Sequence, residues 1–204
     1  MDGLRRAPQQ ARSRARVRRL LEAADAVLAA DGYDALTIRR IAAEAGVPVG
    51  TIYQFFPDKQ AIVDALARRY LEEFAAVVED VTDRASRERW DDPVQILLDA
   101  FIGLYRSRPG YLTIWTGDHL SPELRRADEE NNAAIADGVR SVLISQLGLS
   151  DSADLARSCQ IAVQVCDALL RYAFRDGTAD EAVLTELVRL QRLYLADLVT
   201  RYLH

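Results

Sequence analysis

The 204-residue sequence has few of the residues that build metal sites, disulfides and most catalytic centres. Its two cysteines and two histidines match neither a zinc site nor a disulfide framework. Cys159 and Cys166 are seven residues apart. On one helix their Cα atoms would be separated by roughly 10 Å, beyond the ~7 Å that a disulfide spans. We therefore expect no metal, no cofactor and no internal disulfide.

Long apolar runs are also missing. Charged residues, 28% of the sequence, interrupt every hydrophobic stretch before it reaches the ~20 residues of a membrane span. The arginine-rich start is followed by no short apolar segment with a cleavage site, so it does not have the pattern of a secretory signal. These features predict a cytoplasmic protein with no membrane partner.

Enzymatic activity is not indicated. The sequence has no glycine-rich phosphate loop, and His119 beside Asp118 is the one histidine in a setting that suggests a base. A histidine near aromatic residues is more typical of a pocket or a surface. We expect the protein not to be an enzyme.

The charge distribution is uneven. Residues 1–20 contain seven arginines and one aspartate, a net charge of +6, which leaves −11 for the rest of a chain whose total is −5. A basic end on an acidic protein directs that end toward polyanions. A disordered, solvated tag is the alternative interpretation.

Helical periodicity runs through the whole chain, and no strand-like alternation with hairpin turns is visible. We predict an all-α fold with an N-terminal three-helix head over residues 1–60 and a larger helical body over 61–204. Helix starts are expected near Gln9, Thr37, Val49, Lys59, Asp92, Ser121, Ser150 and Thr178.

Two short predicted helices joined by a glycine turn form a helix-turn-helix pattern between Thr37 and Phe56. Ile38, Ile41 and Ala45 give the first helix an apolar face, and Gly46 suits the tight turn. The second helix has outward Val49, Gly50, Thr51, Tyr53 and Gln54. Short or planar polar groups at this position can reach base edges in the major groove, and Lys59 could hold a phosphate. This pattern predicts binding to double-stranded DNA.

The order and spacing of Gly32-Tyr33, Thr37-Ile38, Ala45-Gly46-Val47, Gly50-Thr51-Ile52-Tyr53 and Phe56-Pro57 with Lys59 resemble the N-terminal domain of the tetracycline-repressor (TetR) family. The resemblance covers about residues 15–65. It implies a homodimeric, all-helical repressor that binds a palindromic operator and carries a small-molecule effector site in its body.

By position, the resemblance assigns DNA contacts to both helices of the motif. The matching residues are Thr37, Arg39, Arg40, Val49, Gly50, Thr51, Tyr53, Gln54 and Lys59. Two departures matter, because Pro48-Val49 replaces a pair that often carries a basic residue, and Gln54 replaces a common histidine. Loss of a basic side chain weakens Val49 as a base reader. We hypothesise that the arginine-rich arm restores some phosphate affinity.

The last two predicted helices carry apolar stripes, from which we predict a four-helix dimer interface. Its residues are Leu155, Cys159, Ala162, Cys166, Leu169, Leu187, Leu190, Tyr194 and Leu198. The alternative is that both stripes face the protomer's own core.

An aromatic-rich middle segment with scattered polar groups predicts the effector pocket. Its expected lining is Phe101, Tyr105, Tyr111, Trp115, His119, Asn131, Gln164 and Phe174. A plain core with satisfied polar tips is the alternative. Other functions remain open, namely an activator, a corepressor-dependent regulator, a protein-binding scaffold, or a redox-responsive regulator using Cys159 and Cys166.

Overall fold

The computed structural model of the protein describes residues 6–115, 120–175 and 177–203. In this part of the chain the regular elements are nine helices, and one isolated bridge joins Leu149 to Leu203. The helices are α1 (Arg6–Asp31), α2 (Ile38–Ala45), α3 (Val49–Tyr53), α4 (Lys59–Arg87), α5 (Pro93–Ser107), α6 (Pro109–Trp115), α7 (Pro122–Leu147), α8 (Ala153–Ala173) and α9 (Glu181–Tyr202). The all-α prediction is confirmed.

Side-chain caps explain where several helices begin. The side chains of Thr37, Asp92 and Ser121 each accept a backbone N–H from the first turn of α2, α5 and α7. The predicted caps of the last two helices were wrong. Ser152 caps α8, because its Oγ accepts the Leu155 N–H at 3.1 Å, and the Ser150 N–H donates to the Tyr202 carbonyl at 3.0 Å.

Asp180, not Thr178, caps α9. Its carboxylate accepts the N–H groups of Ala182 and Val183 at 3.1 and 3.2 Å. The helix is therefore capped by a single acidic residue, two residues beyond the start predicted at Thr178. A carboxylate at a helix N-terminus also interacts favourably with the helix dipole.

The chain divides into two compact units, with the boundary inside α4. Unit 1 comprises the described residues of Met1–Arg69 and Pro109–Leu120, and unit 2 those of Tyr70–Arg108 and Ser121–His204. This differs from the predicted division at residue 60, since α6 joins the helices of the head. The reason is that α6 packs on α1, where the Thr113 hydroxyl donates to the Leu28 carbonyl.

Unit 1 is built around aliphatic side chains from each of its first four helices. Leu20 of α1, Ile41 of α2, Ile52 of α3 and Leu66 of α4 are all fully buried. Tyr111 and Trp115 of α6 stack at 4.3 Å between ring centroids and are buried as well. Burying a side chain of this size contributes about 1.5–3 kcal/mol, so these residues fix the positions of the short helices.

Unit 2 has two apolar clusters along α7. One joins Val142 to Val81 and Leu97, and the other joins Leu143 to Leu155 and Cys159. Gly138 lets α7 approach α4 closely, because a Cβ at this position would lie 2.4 Å from Val78 Cγ1. No helix in the described part of the chain is long and apolar enough to span a membrane.

Candidate nucleic-acid interface and effector cavity

The turn between α2 and α3 depends on a glycine. Gly46 adopts φ 62°, and its N–H donates to the Ala43 carbonyl while the next N–H reaches the Ala42 carbonyl. L-residues other than glycine rarely adopt this conformation. Because the chain reverses within a few residues, α3 lies against α2 in a helix-turn-helix arrangement.

The short helix α3 has a sharp division between inside and outside. Ile52 is 0% exposed, whereas its neighbour Tyr53 is 57% exposed. Val49, Gly50 and Gln54 are also exposed, and Thr51 is half-buried. The structure therefore brings the predicted base-reading residues together on the outward side of one helix.

The predicted contacts on α2 lie at its N-terminal end. Thr37 Oγ1 accepts the Arg40 N–H at 3.2 Å, so this oxygen caps the helix while its own proton stays available to donate. Arg39 is exposed, and the Arg40 guanidinium pairs with Asp31.

Lys59 has a structural role that the sequence did not reveal. Its Nζ donates to the Tyr33 carbonyl at 2.9 Å and lies 3.7 Å from the centroid of the Tyr33 ring. Burial lowers the pKa of Lys59 and raises the pKa of Tyr33. These contacts tie the start of α4 to the loop before α2, so Lys59 holds the motif in place in addition to its predicted phosphate contact.

Helix α1 is rich in exposed arginine side chains. Arg12, Arg14, Arg16, Arg18 and Arg19 of α1 are exposed, and Arg19 Nη2 reaches the turn at Gly46. Arg5 of the predicted arm lies outside the described residues. The positive charge of α1 thus extends to the turn that leads into α3.

Unit 2 contains a cavity of about 70 Å³ between α5, α7, α8 and α9. Its lining is mainly aliphatic, with three side chains that carry a polar atom. The lining residues are Val94, Leu97, Leu98, Phe101, Val139, Leu143, Ala162, Val163, Cys166, Gln191, Tyr194, Leu195 and Leu198.

The structure does not gather the predicted pocket residues into one site. Of that set, only Phe101 lines the cavity. Tyr111 and Trp115 belong to unit 1, and Gln164 is exposed on α8. His119 lies outside the described residues. The spacing of aromatic residues along the sequence identified side chains that are buried, but it could not show which of the two compact units buries each of them.

Tyr105 and Phe174 belong instead to an aromatic cluster in unit 2. Their ring centroids are 5.7 Å apart, and Phe74 packs edge-on against Tyr105 at 6.0 Å. The Tyr105 hydroxyl donates to Asp167 at 2.6 Å, and Arg171 pairs with the same carboxylate at 2.8 Å. Asn131 is half-buried on α7 and is not part of the cavity lining.

Most of the predicted dimer stripe faces the interior of unit 2. Leu155, Cys159 and Leu198 are at most 1% exposed in the protomer, so the prediction was wrong for these three residues. Leu187 is buried as well, but it lies at the base of the outward groove. Ala162, Cys166 and Tyr194 line the cavity. Leu169 and Leu190 border a groove on the opposite, outward side. The alternative interpretation, a core-facing stripe, describes the inner residues.

The outward side of α8 and α9 is apolar as well. Leu193 is 65% exposed, and Ile161, Tyr172 and Leu190 are also large hydrophobic side chains with about half of their surface exposed. The groove beside them has a further apolar lining from Leu169, Ala182 and Val183. Exposed apolar patches of this kind mark interaction surfaces.

Sequence reasoning missed Ile161 and Leu193 on this face, and Val94 and Gln191 in the cavity. The sequence contained a weak signal for Ile161. Ile161, Ala168 and Tyr172 recur at spacings of seven and four, which places them on one side of α8. For the cavity residues no sequence signal distinguishes a cavity wall from ordinary core.

The exposed α3 helix, the glycine turn and the basic α1 together define a helix-turn-helix, DNA-binding transcriptional regulator. Residues 20–66 match the family described as "Bacterial regulatory proteins, tetR family". Residues 88–199, more than half of the chain, match "Tetracyclin repressor-like, C-terminal domain". The chain belongs to the TetR family, which confirms the resemblance read from the sequence.

Individual relatives are consistent with this assignment. A TetR-family transcriptional regulator from Streptomyces coelicolor is 32% identical, with a TM-score of 0.61, and the match covers 90% of this chain and 99% of that one. FadR from Bacillus subtilis in complex with stearoyl-CoA shares the fold at 22% identity and TM-score 0.63, covering 89% and 97%.

Among curated proteins, the HTH-type transcriptional repressor KstR of Mycolicibacterium smegmatis is 38% identical over 74 residues, which is 36% of this chain and 34% of that repressor. The match thus spans about a third of the length of that curated relative.

Proposed function

We propose that this protein is a ligand-released transcriptional repressor that binds a palindromic operator as a homodimer. The observation that carries the proposal is the difference in burial along α3. One residue, Ile52, is buried and anchors the helix, and the other residues are exposed or half-buried. A helix presented in this way fits the major groove. Because the operator lies on the chromosome, we place the protein in the cytoplasm.

Different side chains of the head have different roles in this proposal. Thr51 and Gln54 form hydrogen bonds with base edges, and Val49 packs on a thymine methyl group. Tyr53, Thr37 and Arg39 contact phosphates. Arg40 exchanges the Asp31 carboxylate for a phosphate, and Lys59 contacts a phosphate while it keeps its bond to the Tyr33 carbonyl. Phosphate contacts supply affinity in a salt-dependent manner, whereas base contacts supply specificity.

The dimer forms through the outward face of α8 and α9, which is covered by the same face of a second copy of this chain. Ile161, Tyr172, Leu190 and Leu193 would be covered by the same residues of the other protomer, as twofold symmetry requires. Two heads related by a twofold axis read two half-sites, which supports a palindromic operator. Family membership points to the same arrangement.

The cavity in unit 2 is the proposed effector site. Its volume of about 70 Å³ is well below the roughly 300–1,000 Å³ of pockets for drug-sized ligands, so an effector would have to displace lining side chains. A coupling free energy of about 1–3 kcal/mol between effector and operator would weaken DNA binding roughly 5–150-fold. The similarity to KstR, a transcriptional repressor, supports repression as the direction of regulation.

The structure offers little support for redox control. Burial raises the pKa of the Cys159 thiol to about 11 and that of Cys166 to about 12. Thiols react with oxidants mainly as thiolates, which are scarce at neutral pH when the pKa is this high.

The first experiment is selection of bound sequences from a random pool of duplex DNA at a stated salt concentration. We expect a palindrome, and we expect Gln54→Ala to relax the preference at one base pair of each half-site. Arg157→Ala, on exposed α8 surface, serves as the control and leaves the selected sequence unchanged. Recovery of weak, sequence-independent binding alone would contradict the proposal.

A further inference from the structure

The lining of the unit 2 cavity has a definite chemistry. None of its thirteen residues carries a charged group. Ten are aliphatic or aromatic hydrocarbons, and the remaining three are Cys166, Gln191 and Tyr194. Since burial raises the pKa of Cys166 to about 12, its thiol is also uncharged at neutral pH. A carboxylate or phosphate in this cavity would have no charged partner among these residues, and an unpaired buried ion costs several kcal/mol.

One polar group has a defined orientation. Gln191 is buried, and its Nε2 donates to the Ala162 carbonyl at 2.9 Å. This bond uses one of the two N–H groups of Nε2 and orients the carboxamide, whose Oε1 accepts hydrogen bonds. A hydroxyl group can donate to that oxygen, whereas a carboxylate, which only accepts, would be repelled by it.

We infer that the effector cavity of this protein binds a compact, uncharged alcohol or phenol, with its hydroxyl donating to Gln191 and its hydrocarbon part filling the aliphatic lining. This inference rests on the proposed function, in which the cavity holds an effector. It names a ligand class distinct from the acyl-CoA seen with the FadR structure, whose phosphates would need cationic partners that the lining lacks.

Titration calorimetry on the full-length protein without DNA tests this with three probes of one skeleton, 4-ethylphenol, ethylbenzene and 4-ethylbenzoate. We expect the phenol to bind about 5–10-fold more tightly than the hydrocarbon, the difference that one hydrogen bond contributes. The anion should bind at least about 100-fold more weakly than the phenol. Equal or tighter binding of 4-ethylbenzoate would overturn the inference.

Two variants locate the site. Ala162→Leu fills the cavity and should abolish binding of both neutral probes, whereas Ala134→Leu, on the exposed side of α7, should leave binding unchanged. Gln191→Met should remove the preference for the phenol over the hydrocarbon while both still bind. Circular dichroism establishes that each variant is folded. Undiminished phenol binding by folded Ala162→Leu would overturn the inference.

The result is separable from the proposed function, because operator affinity is measured independently. If neither neutral probe binds, the inference fails while the DNA-binding function stands. If 4-ethylphenol binds in the cavity and operator affinity is unchanged, the inference is supported, and the ligand-release step of the proposed function is contradicted.

Discussion

The two sides of the α8–α9 pair are both apolar, yet they differ in what covers them. The inner side is completed within the protomer, since Leu155 and Leu198 are already buried. The outer side leaves Ile161 and Leu193 exposed. Exposed apolar patches often mark interaction surfaces. We therefore propose that the outer side mediates dimerisation, whereas the inner side completes the protomer's core and holds the proposed effector cavity.

The largest effect is expected when a charge is placed on the outer side, which tests whether this side mediates dimerisation. Leu193→Glu should convert the dimer to monomers and reduce operator affinity at least about 100-fold, because each dimer would bury two unpaired carboxylates. Sedimentation equilibrium and operator titration measure the two effects.

Leu203→Glu provides the matched control. Leu203 is also an exposed leucine, but it is not part of the groove between α8 and α9. We expect this variant to remain dimeric with unchanged operator affinity. A dimeric Leu193→Glu protein would move the interface to another surface.

The same contrast between inward and outward residues can be tested within α3, where two adjacent side chains point in opposite directions. Ile52→Ala should lower the free energy of unfolding by about 2–5 kcal/mol, because it opens a cavity in a fully buried site. Tyr53→Ala should leave stability within about 0.5 kcal/mol and weaken operator binding instead. Urea unfolding and operator titration separate these outcomes, and a reversal of the two effects would contradict the assigned orientation of α3.

These contrasts also show what the sequence could predict. The helix-turn-helix was predictable because Gly46, the spacing of Ile41 and Ala45, and a single inward Ile52 permit only one orientation of α3. The orientation of α8 was not predictable, because Cys159 on one side and Ile161 on the other are both apolar. A repeat of apolar residues identifies a helix face but does not say which neighbour covers it.

The aromatic prediction failed for a related reason. Tyr111 and Trp115 lie close in sequence to Phe101 and Tyr105, but α6 packs on α1 and so belongs to unit 1. The chain leaves unit 2 at Pro109 and returns to it after Leu120, twelve residues later. Contacts distant in sequence, which local periodicity does not encode, determine this assignment.

A smaller effect is expected from the arginine-rich N-terminal arm. Deleting residues 1–12 removes Arg5, Arg6 and Arg12, and should weaken operator binding several-fold at low salt. Each lost phosphate contact should reduce the slope of log affinity against log salt by about 0.9. Operator titrations from 50 to 200 mM salt measure this, and an unchanged slope would show that the arm does not contact DNA.

The smallest effect concerns the inner side of α8. An unfolded thiol titrates near pH 8.5, whereas burial raises the pKa of folded Cys166 to about 12. Between these values the folded state keeps a proton that the unfolded state loses, so the free energy of unfolding falls as pH rises. Cys166→Ala should show a shallower fall between pH 7.5 and 9.5 in urea unfolding. Identical pH dependence in both proteins would argue that Cys166 is not buried.

The architecture of α3 has a consequence for how such a protein diverges. Of its five residues, only Ile52 is buried, and the contacts of Lys59 with Tyr33 tie the start of α4 to the loop before α2. Substitutions at exposed positions of this kind usually change stability by no more than about 0.5 kcal/mol. After gene duplication, a descendant could therefore acquire a new operator one side chain at a time, while inheriting its folding unchanged.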